Sequence, residues 1–292
     1  MVMDSEHTVA IPFRVRLHLG RAAVQVIARR AGADLLHIKG DAVDESLRPL
    51  PRTGLDNDVL VRPSHVPAFD AALRRTGWLV YSTFANGSPF GHAQTYLHDT
   101  WGYLDVHRLF PGIGKDPSDA FTALWADRTY IDFAGVACAV PQVDAHAAIL
   151  MLNAARSPGT ARRDVAGVWK GASTDTRERI ERWIDALDAR VAFAAALGQL
   201  ELYRDDRSYL LWKVVSEGGS RIQEWHGRVR AARTWRARLG VLIRAPRVNT
   251  DHLAHTLGRS PNRRDIVREF FARAVRGLWE AMPARRRRGV EK

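Results

Sequence analysis

The run Gly54-Leu55-Asp56-Asn57-Asp58-Val59-Leu60-Val61 constrains this chain more than any other stretch. Leu55, Val59 and Leu60 supply apolar bulk for a short strand, and two carboxylates stand two residues apart. A strand alternates its side chains with period two, so Asp56 and Asp58 fall on one face. Two carboxylates on one strand face repel each other, which costs free energy unless a cation or water screens them. Hard divalent ions bind through one or two carboxylates together with substrate phosphates. The pattern therefore has two readings. One is a solvated edge strand carrying two outward acids; the other is a divalent-metal site for phosphoryl or nucleotidyl transfer.

The flanking segments bear on that choice. Upstream, Leu35–Ile38 reads as a short apolar strand ending in Lys39-Gly40. Downstream, Tyr103-Leu104-Asp105-Val106-His107 is a second strand-like run with an acid inside it. Lys-Gly, an Arg at 52, Asp56-Asn57-Asp58-Val59-Leu60-Val61 and then Asp105-Val106-His107 follow one another in this order. The order and spacing resemble the DNA polymerase β-type nucleotidyltransferase superfamily, and more narrowly the bacterial uncharacterised nucleotidyltransferase family. The resemblance covers roughly residues 20 to 170.

Composition bounds the remaining possibilities. A chain of 292 residues, 46% hydrophobic and 26% charged, is long enough for one large domain or two ordinary ones. No apolar run reaches the 18 or more residues of a membrane span. The polar, acidic start Met1-Val2-Met3-Asp4-Ser5-Glu6-His7 is unlike a secretory signal, and a cytoplasmic protein is expected. The single Cys138 excludes an internal disulfide framework and a cysteine-based zinc site. The net charge of +12 comes from Arg far outnumbering Lys, and Arg is spread along the whole chain. That charge fits either a GC-rich coding bias or an anionic partner such as a nucleotide or RNA.

Along the chain, Arg14–Arg30 reads as an amphipathic helix stopping near Gly32. Residues Ala42–Leu47 read as a helical turn, and Ser64 as the N-cap of a helix through Val66, Phe69 and Leu73 to Gly77. Trp78–Phe84 and His92–His98 read as strands, separated by the turn signal Asn86-Gly87-Ser88-Pro89. The turn Asp99-Thr100-Trp101-Gly102 joins the second of these to the Asp105 strand as an antiparallel hairpin. Asp116-Pro117 opens a helix to about Ala126, and Ile131–Val140 forms a final extended pair closed by Pro141.

Beyond Pro141 the pattern is helical. His146–Ala155 is apolar, and Arg163–Trp169 continues it after Ser157-Pro158-Gly159. Asp175 and Glu178 suggest a capping box opening one long helix toward Tyr203. Ser208–Val215, Ile222–Leu239 and a last helix between Pro261 and Pro283 follow, and the tail ends in Arg285-Arg286-Arg287-Arg288. The Trp residues at 169, 183, 212, 225, 235 and 279 are read as core. His252 and His255 lack a third ligand, so zinc is not expected. The fold class is α+β: a small mixed sheet with helices over 1–140, then a helical domain over 141–292, with the active site in the cleft between them.

The resemblance implies specific roles. Asp56, Asp58 and Asp105 would hold Mg²⁺ (or Mn²⁺), in a reaction where two ions about 4 Å apart neutralise an in-line displacement at phosphorus. Asp105 would also help deprotonate the attacking hydroxyl. Lys39-Gly40 would stand at the triphosphate, where Gly lets the backbone come close. Asp41, in place of the superfamily's hydroxyl residue, adds negative charge there. Arg52 would contact phosphate or a metal-site carboxylate. His107, two residues after Asp105 and on its face, would orient the acceptor or bond to Asp105. Asp164 matches a family position with a structural role. The implied activity is transfer of a nucleoside monophosphate from an NTP to a hydroxyl acceptor, with a small molecule or biosynthetic intermediate favoured. The alternatives are a toxin-like transferase acting on RNA or protein, and a non-catalytic nucleotide- or nucleic-acid-binding module.

Overall fold

The computed structural model describes residues 11–48, 54, 56–85, 90–157, 163–244, 253, 257, 259 and 261–281. The first ten residues, the turn 86–89, His252, His255, Pro283 and the Arg285–Arg288 tail lie outside the described residues.

Helix α1 (Phe13–Arg30) precedes the short strand β1 (Leu35–His37). Two 3-10 turns, Gly40–Ala42 and Glu45–Leu47, stand where one helical turn was expected. Strand β2 (Asp56–Val61), helix α2 (Val66–Arg75) and strands β3 (Leu79–Ser82), β4 (Ala93–His98) and β5 (Gly102–His107) follow. The expected hairpin of β4 and β5 is present, with Thr95 opposite Asp105. Helix α3 (Pro117–Ala126) begins at Asp116, whose carboxylate accepts from the Ser118 and Asp119 backbone N–H groups. Strands β6 (Thr129–Phe133) and β7 (Val136–Val140) form a separate two-stranded ribbon.

The main sheet has the order β1-β2-β5-β4-β3. Only β2 and β5 run parallel; the other neighbours are antiparallel. β2 is therefore an interior strand, not a solvated edge, and Asn57 through Val61 are all buried. The period-two alternation sorts its side chains between two cores. Val59 and Val61 join Leu35, Leu104 and Val106 against Val24 and Ala28 of α1 and Phe69 and Leu73 of α2. Leu60 and Leu36 face the other way, onto Phe121 and Leu124 of α3. Each such side chain, fully buried, contributes about 1.5–3 kcal/mol.

Helix α4 (Val143–Arg156) packs on that second face, and His146 Nε2 lies 2.9 Å from the Ile38 carbonyl. One buried cluster runs across residue 140: it joins Leu36 and Leu60 to Ile149 and Leu152 of α4, and to Ile180, Ile184 and Trp212 beyond it. The segment after α4 ends in a π-helical turn, Ala166–Lys170.

Several helix boundaries differ from the sequence expectation. A 3-10 turn, Pro63–His65, occupies the expected cap at Ser64, and α2 begins at Val66 with His65 as its N-cap. The expected helix from Asp175 to Tyr203 is two helices, α5 (Thr174–Ala186) and α6 (Arg190–Ala196). The N-cap of α5 is Ser173, whose hydroxyl accepts from the Thr176 N–H, not an Asp175–Glu178 box. The break falls at Asp188, which takes a left-handed φ of 52°. There the Leu187 and Asp188 carbonyls leave the helical ladder and accept from the Gly114 N–H. The turn before α3 thus uses groups that a continuous helix would have kept.

After α7 (Tyr209–Glu217) comes α8 (Arg221–Ala231), which carries a true capping box between Ser220 and Gln223. Ala232, with an extended ψ of 126°, separates α8 from α9 (Trp235–Arg244), where one helix had been expected. Trp235 is 70% exposed, so it is not core as expected, whereas Trp212 is buried. Helix α10 (Arg263–Ala281) is the last helix among the described residues.

Candidate functional site

Parallel pairing of β2 with β5 puts Asp56 beside Tyr103 and Asp58 beside Asp105. Adjacent residues in register share a face, so Asp56, Asp58, Asp105 and His107 all rise from one side of the sheet. Asp58, Asp105 and His107 each offer a ligand atom, and these atoms lie within 4.8 Å of one another. Two carboxylates and an imidazole so grouped could hold a divalent ion. Asp56 is on the same face but is not part of that group of three.

Each acid is held differently. Asp58 is buried; its Oδ1 meets Lys39 Nζ at 2.5 Å and His107 Nε2 at 2.9 Å. Burial works to raise the Asp58 carboxyl, but Lys39 and His107 outweigh it and hold it below the usual carboxylate range. An ionised carboxylate only accepts, so His107 Nε2–H donates and Nδ1 is the bare nitrogen. That Nδ1 is buried without a hydrogen-bond partner. Burial lowers the His107 pKa, which keeps the ring neutral. Asp105 accepts from Thr95 Oγ1 at 2.6 Å across the β4–β5 ladder. Asp56 has no side-chain hydrogen bond with a described residue, and only the charges of Lys39 and Arg21 favour its ionised form. Burial, Asp58 and Asp105 together push its carboxyl up to about 6.

Behind the cluster stands Arg156, at the end of α4. Its Nη1 donates to His92 Nε2 at 2.8 Å, and its guanidinium lies 5.3 Å from the Phe110 ring centroid. A guanidinium cannot accept, so His92 carries its proton on Nδ1. Burial, aided by His107 and Arg156, lowers His92 to about 2. The His92 and His107 rings are 5.1 Å apart. Asp164 is buried at the next layer and accepts from Asn153 Nδ2 at 3.3 Å.

The residues expected at phosphate divide into two groups. Gly40 takes a left-handed φ of +63° directly after Lys39, as a tight turn requires. Lys39 reaches the carboxylate of Asp58 instead of standing in solvent. Arg52 lies outside the described residues. His107 bonds Asp58, not Asp105 as expected, because Asp105 is already engaged by Thr95 and Asp58 stands across the strand pair. Asp41 does not leave a bare negative charge beside Gly40. Burial works to raise its carboxyl, yet His18, Arg14 and Arg21 hold it below the ordinary value.

Arg21, Thr95, His92 and Arg156 were not singled out in the sequence. Thr95 and His92 are legible only once the β4–β5 register is known. Arg21 had a signal in the spacing Arg14, His18, Arg21, which places three polar groups on one face of α1. Neither a protein-family model nor a curated protein matches this chain.

Proposed function

We propose that the protein is a metal-dependent nucleotidyltransferase, which transfers a nucleoside monophosphate from an NTP to a hydroxyl acceptor. The observation that carries this reading is the in-register pairing of Asp58 and Asp105, with Asp56 one step along the same face and Lys39-Gly40 at its edge. Three acids on one face of two interior strands are costly without a cation, and Asp56 carries that cost in its raised pKa.

In the proposed reaction the acceptor oxygen attacks the α-phosphorus, the bond to the bridging oxygen breaks, and pyrophosphate leaves. Asp58, Asp105 and His107, with Asp56 beside them, would hold Mg²⁺ or Mn²⁺, which would supply charge neutralisation at the transferring phosphate. Asp105, fixed by Thr95, takes the proton of the acceptor hydroxyl. Lys39, one residue before the Gly40 turn and in contact with Asp58, is placed to meet phosphate there. The turn at Gly40 lets the triphosphate approach the backbone.

A small acceptor is favoured over RNA by the open part of the same sheet face. Tyr103, next to Asp56, meets Tyr81 edge-on at 5.2 Å between ring centroids, and Leu79 beside them is 67% exposed. These side chains bring no Lys or Arg, whereas a nucleic-acid strand calls for a cationic groove along its backbone.

Isothermal titration of ATP, GTP, CTP and UTP with Mg²⁺ or Mn²⁺, alongside labelled-NTP transfer into a metabolite extract and into total RNA, tests this. Metal-dependent binding of one NTP, lost in Asp58→Ala, is expected; no binding of any NTP sinks it.

A second reading, a non-catalytic binding module, draws on one observation. Asp58 already has two partners, Lys39 and His107, and needs no metal to be satisfied. On that reading nucleotide with metal leaves the melting temperature unchanged.

A further inference from the structure

Arg14, His18 and Arg21 lie on one face of α1, four and three residues apart, and that face meets the turn Lys39-Gly40-Asp41. Asp41 gathers the outer groups: Arg14 Nε donates to it at 3.3 Å, Arg48 Nη1 donates at 3.2 Å, and His18 Nε2 lies 2.7 Å away.

Arg21 goes deeper. It is 1% exposed, its Nη1 is buried without a hydrogen-bond partner, and it forms no salt bridge with a described residue. Burial lowers its pKa against the pull of Asp41, Asp58 and Asp56, all close enough to act on it. The ring of Phe133 lies 5.4 Å from the guanidinium carbon, a contact that uses the face of the group and leaves its N–H donors unspent. A Cβ added to Gly40 would clash with Arg21 Nη2, so the guanidinium rests against the Gly40 backbone itself.

A buried guanidinium whose Nη1 has no hydrogen-bond partner among the described residues is costly for a fold to keep, even with Asp41, Asp58 and Asp56 near enough to attract it. A fold selected for stability alone would put an apolar side chain at this position. An anion arriving at the Gly40 turn meets a planar guanidinium that lies against the turn and is already desolvated.

We propose that Arg21 is a ligand for a polyphosphate held at the Gly40 turn, with Asp41 organising the outer cations around it. This rests on the nucleotidyl-transfer reading, in which that polyphosphate is the tail of the NTP and then the departing pyrophosphate. Asp41, which in the sequence looks like an obstacle to triphosphate, is outnumbered by Arg14, Arg21 and Arg48 and holds part of that row in place.

The test uses inorganic pyrophosphate with Mg²⁺, titrated calorimetrically into the full-length wild type and Arg21→Met, with thermal unfolding of each in the absence of ligand. Arg21→Met is expected to weaken pyrophosphate at least about tenfold, the loss of one or two charge-assisted hydrogen bonds. Without ligand its melting temperature is expected to change little, because relief of the guanidinium's desolvation is set against the lost attraction to Asp41, Asp58 and Asp56. Should Arg21→Met not fold, Arg21→Lys keeps the charge but loses the fork, and the same loss is expected of it. Unchanged pyrophosphate affinity in the folded variant overturns the proposal and leaves Arg21 a structural residue. The two readings fail separately. Pyrophosphate binding through Arg21 in a protein that transfers no nucleotide keeps this inference and removes the activity. Nucleotide transfer with pyrophosphate bound equally well by Arg21→Met does the reverse.

Discussion

Asp105 on β5 stands in register with Asp58 on the parallel strand β2, yet the two carboxylates are held by different partners. Asp58 is tied to Lys39 and His107, and Asp105 to Thr95. Asp56, with neither arrangement, carries the unfavourable part of the three-acid cluster. The acids therefore differ in what their removal does.

Asp58→Asn leaves Lys39 and the buried His107 without their anion. Breaking a buried pair by removing one partner costs about 3–5 kcal/mol, less here because Lys39 retains 20% exposure. Asp56→Asn should instead stabilise the metal-free protein at pH 7.5 by about 1–3 kcal/mol, since a carboxyl raised to about 6 is ionised there at a cost. Urea unfolding of both variants reads these opposite signs. A loss of stability in Asp56→Asn contradicts the picture of an acid whose burial and repulsion outweigh the pull of Lys39 and Arg21.

An imidazole among the donors favours a borderline ion over Mg²⁺, which prefers oxygen ligands throughout. Mn²⁺ is therefore expected to raise the melting temperature more than Mg²⁺ at equal concentration, and His107→Gln to narrow that gap. Nitrogen coupling from histidine in the spin-echo spectrum of the Mn²⁺ protein gives a direct reading. Its absence would confine His107 to holding Asp58.

Gly40 combines a φ of +63° with a guanidinium against its Cα. Gly40→Ala asks a side chain to adopt a left-handed backbone and to push Arg21 aside. A loss of about 1–3 kcal/mol is expected from chemical denaturation. An unchanged midpoint would mean the turn relaxes at no cost.

His37, opposite Val59 on the neighbouring strand, supplies a separate pH dependence. It is fully buried beside Phe133, neither ring nitrogen has a hydrogen-bond partner, and burial, with Arg21, lowers its pKa to about 3. Its ordinary value is 6.5, so between 6.5 and about 3 the unfolded chain takes up a proton that the fold refuses. This contribution to stability is complete above pH 6.5 and declines as pH falls through that window. His37→Leu should raise stability at pH 5 more than at pH 8; equal gains at both values would mean the ring is protonated in the fold.

Much of the local structure could be read from the sequence because its causes are local. The Asp116-Pro117 start of α3, the stop of α1 before Gly32 and the hairpin at Asp99–Gly102 depend on side chains within a few residues of the backbone groups they satisfy. The helix breaks at Asp188 and Ala232 did not show, because at Asp188 the carbonyl partner is the N–H of Gly114, more than seventy positions away. Trp235 was misjudged for a related reason: an aromatic side chain is core only where another element arrives to cover it.

The site divides along the same line. Strand alternation by itself put Asp56 with Asp58, and Asp105 with His107, on shared faces, since period two is a property of the extended chain. Only the tertiary structure decided that β2 and β5 lie side by side, parallel and in a register that joins the two pairs. That pairing is set by the burial of Val59, Leu60, Leu104 and Val106 between helices on both faces of the sheet. It was also the tertiary structure that brought the α1 face of Arg14, His18 and Arg21 onto the Gly40 turn and buried Arg21 beneath it, its Nη1 without a hydrogen-bond partner among the described residues. A helix face can be read from spacing, but what it faces depends on how the whole chain closes around its core.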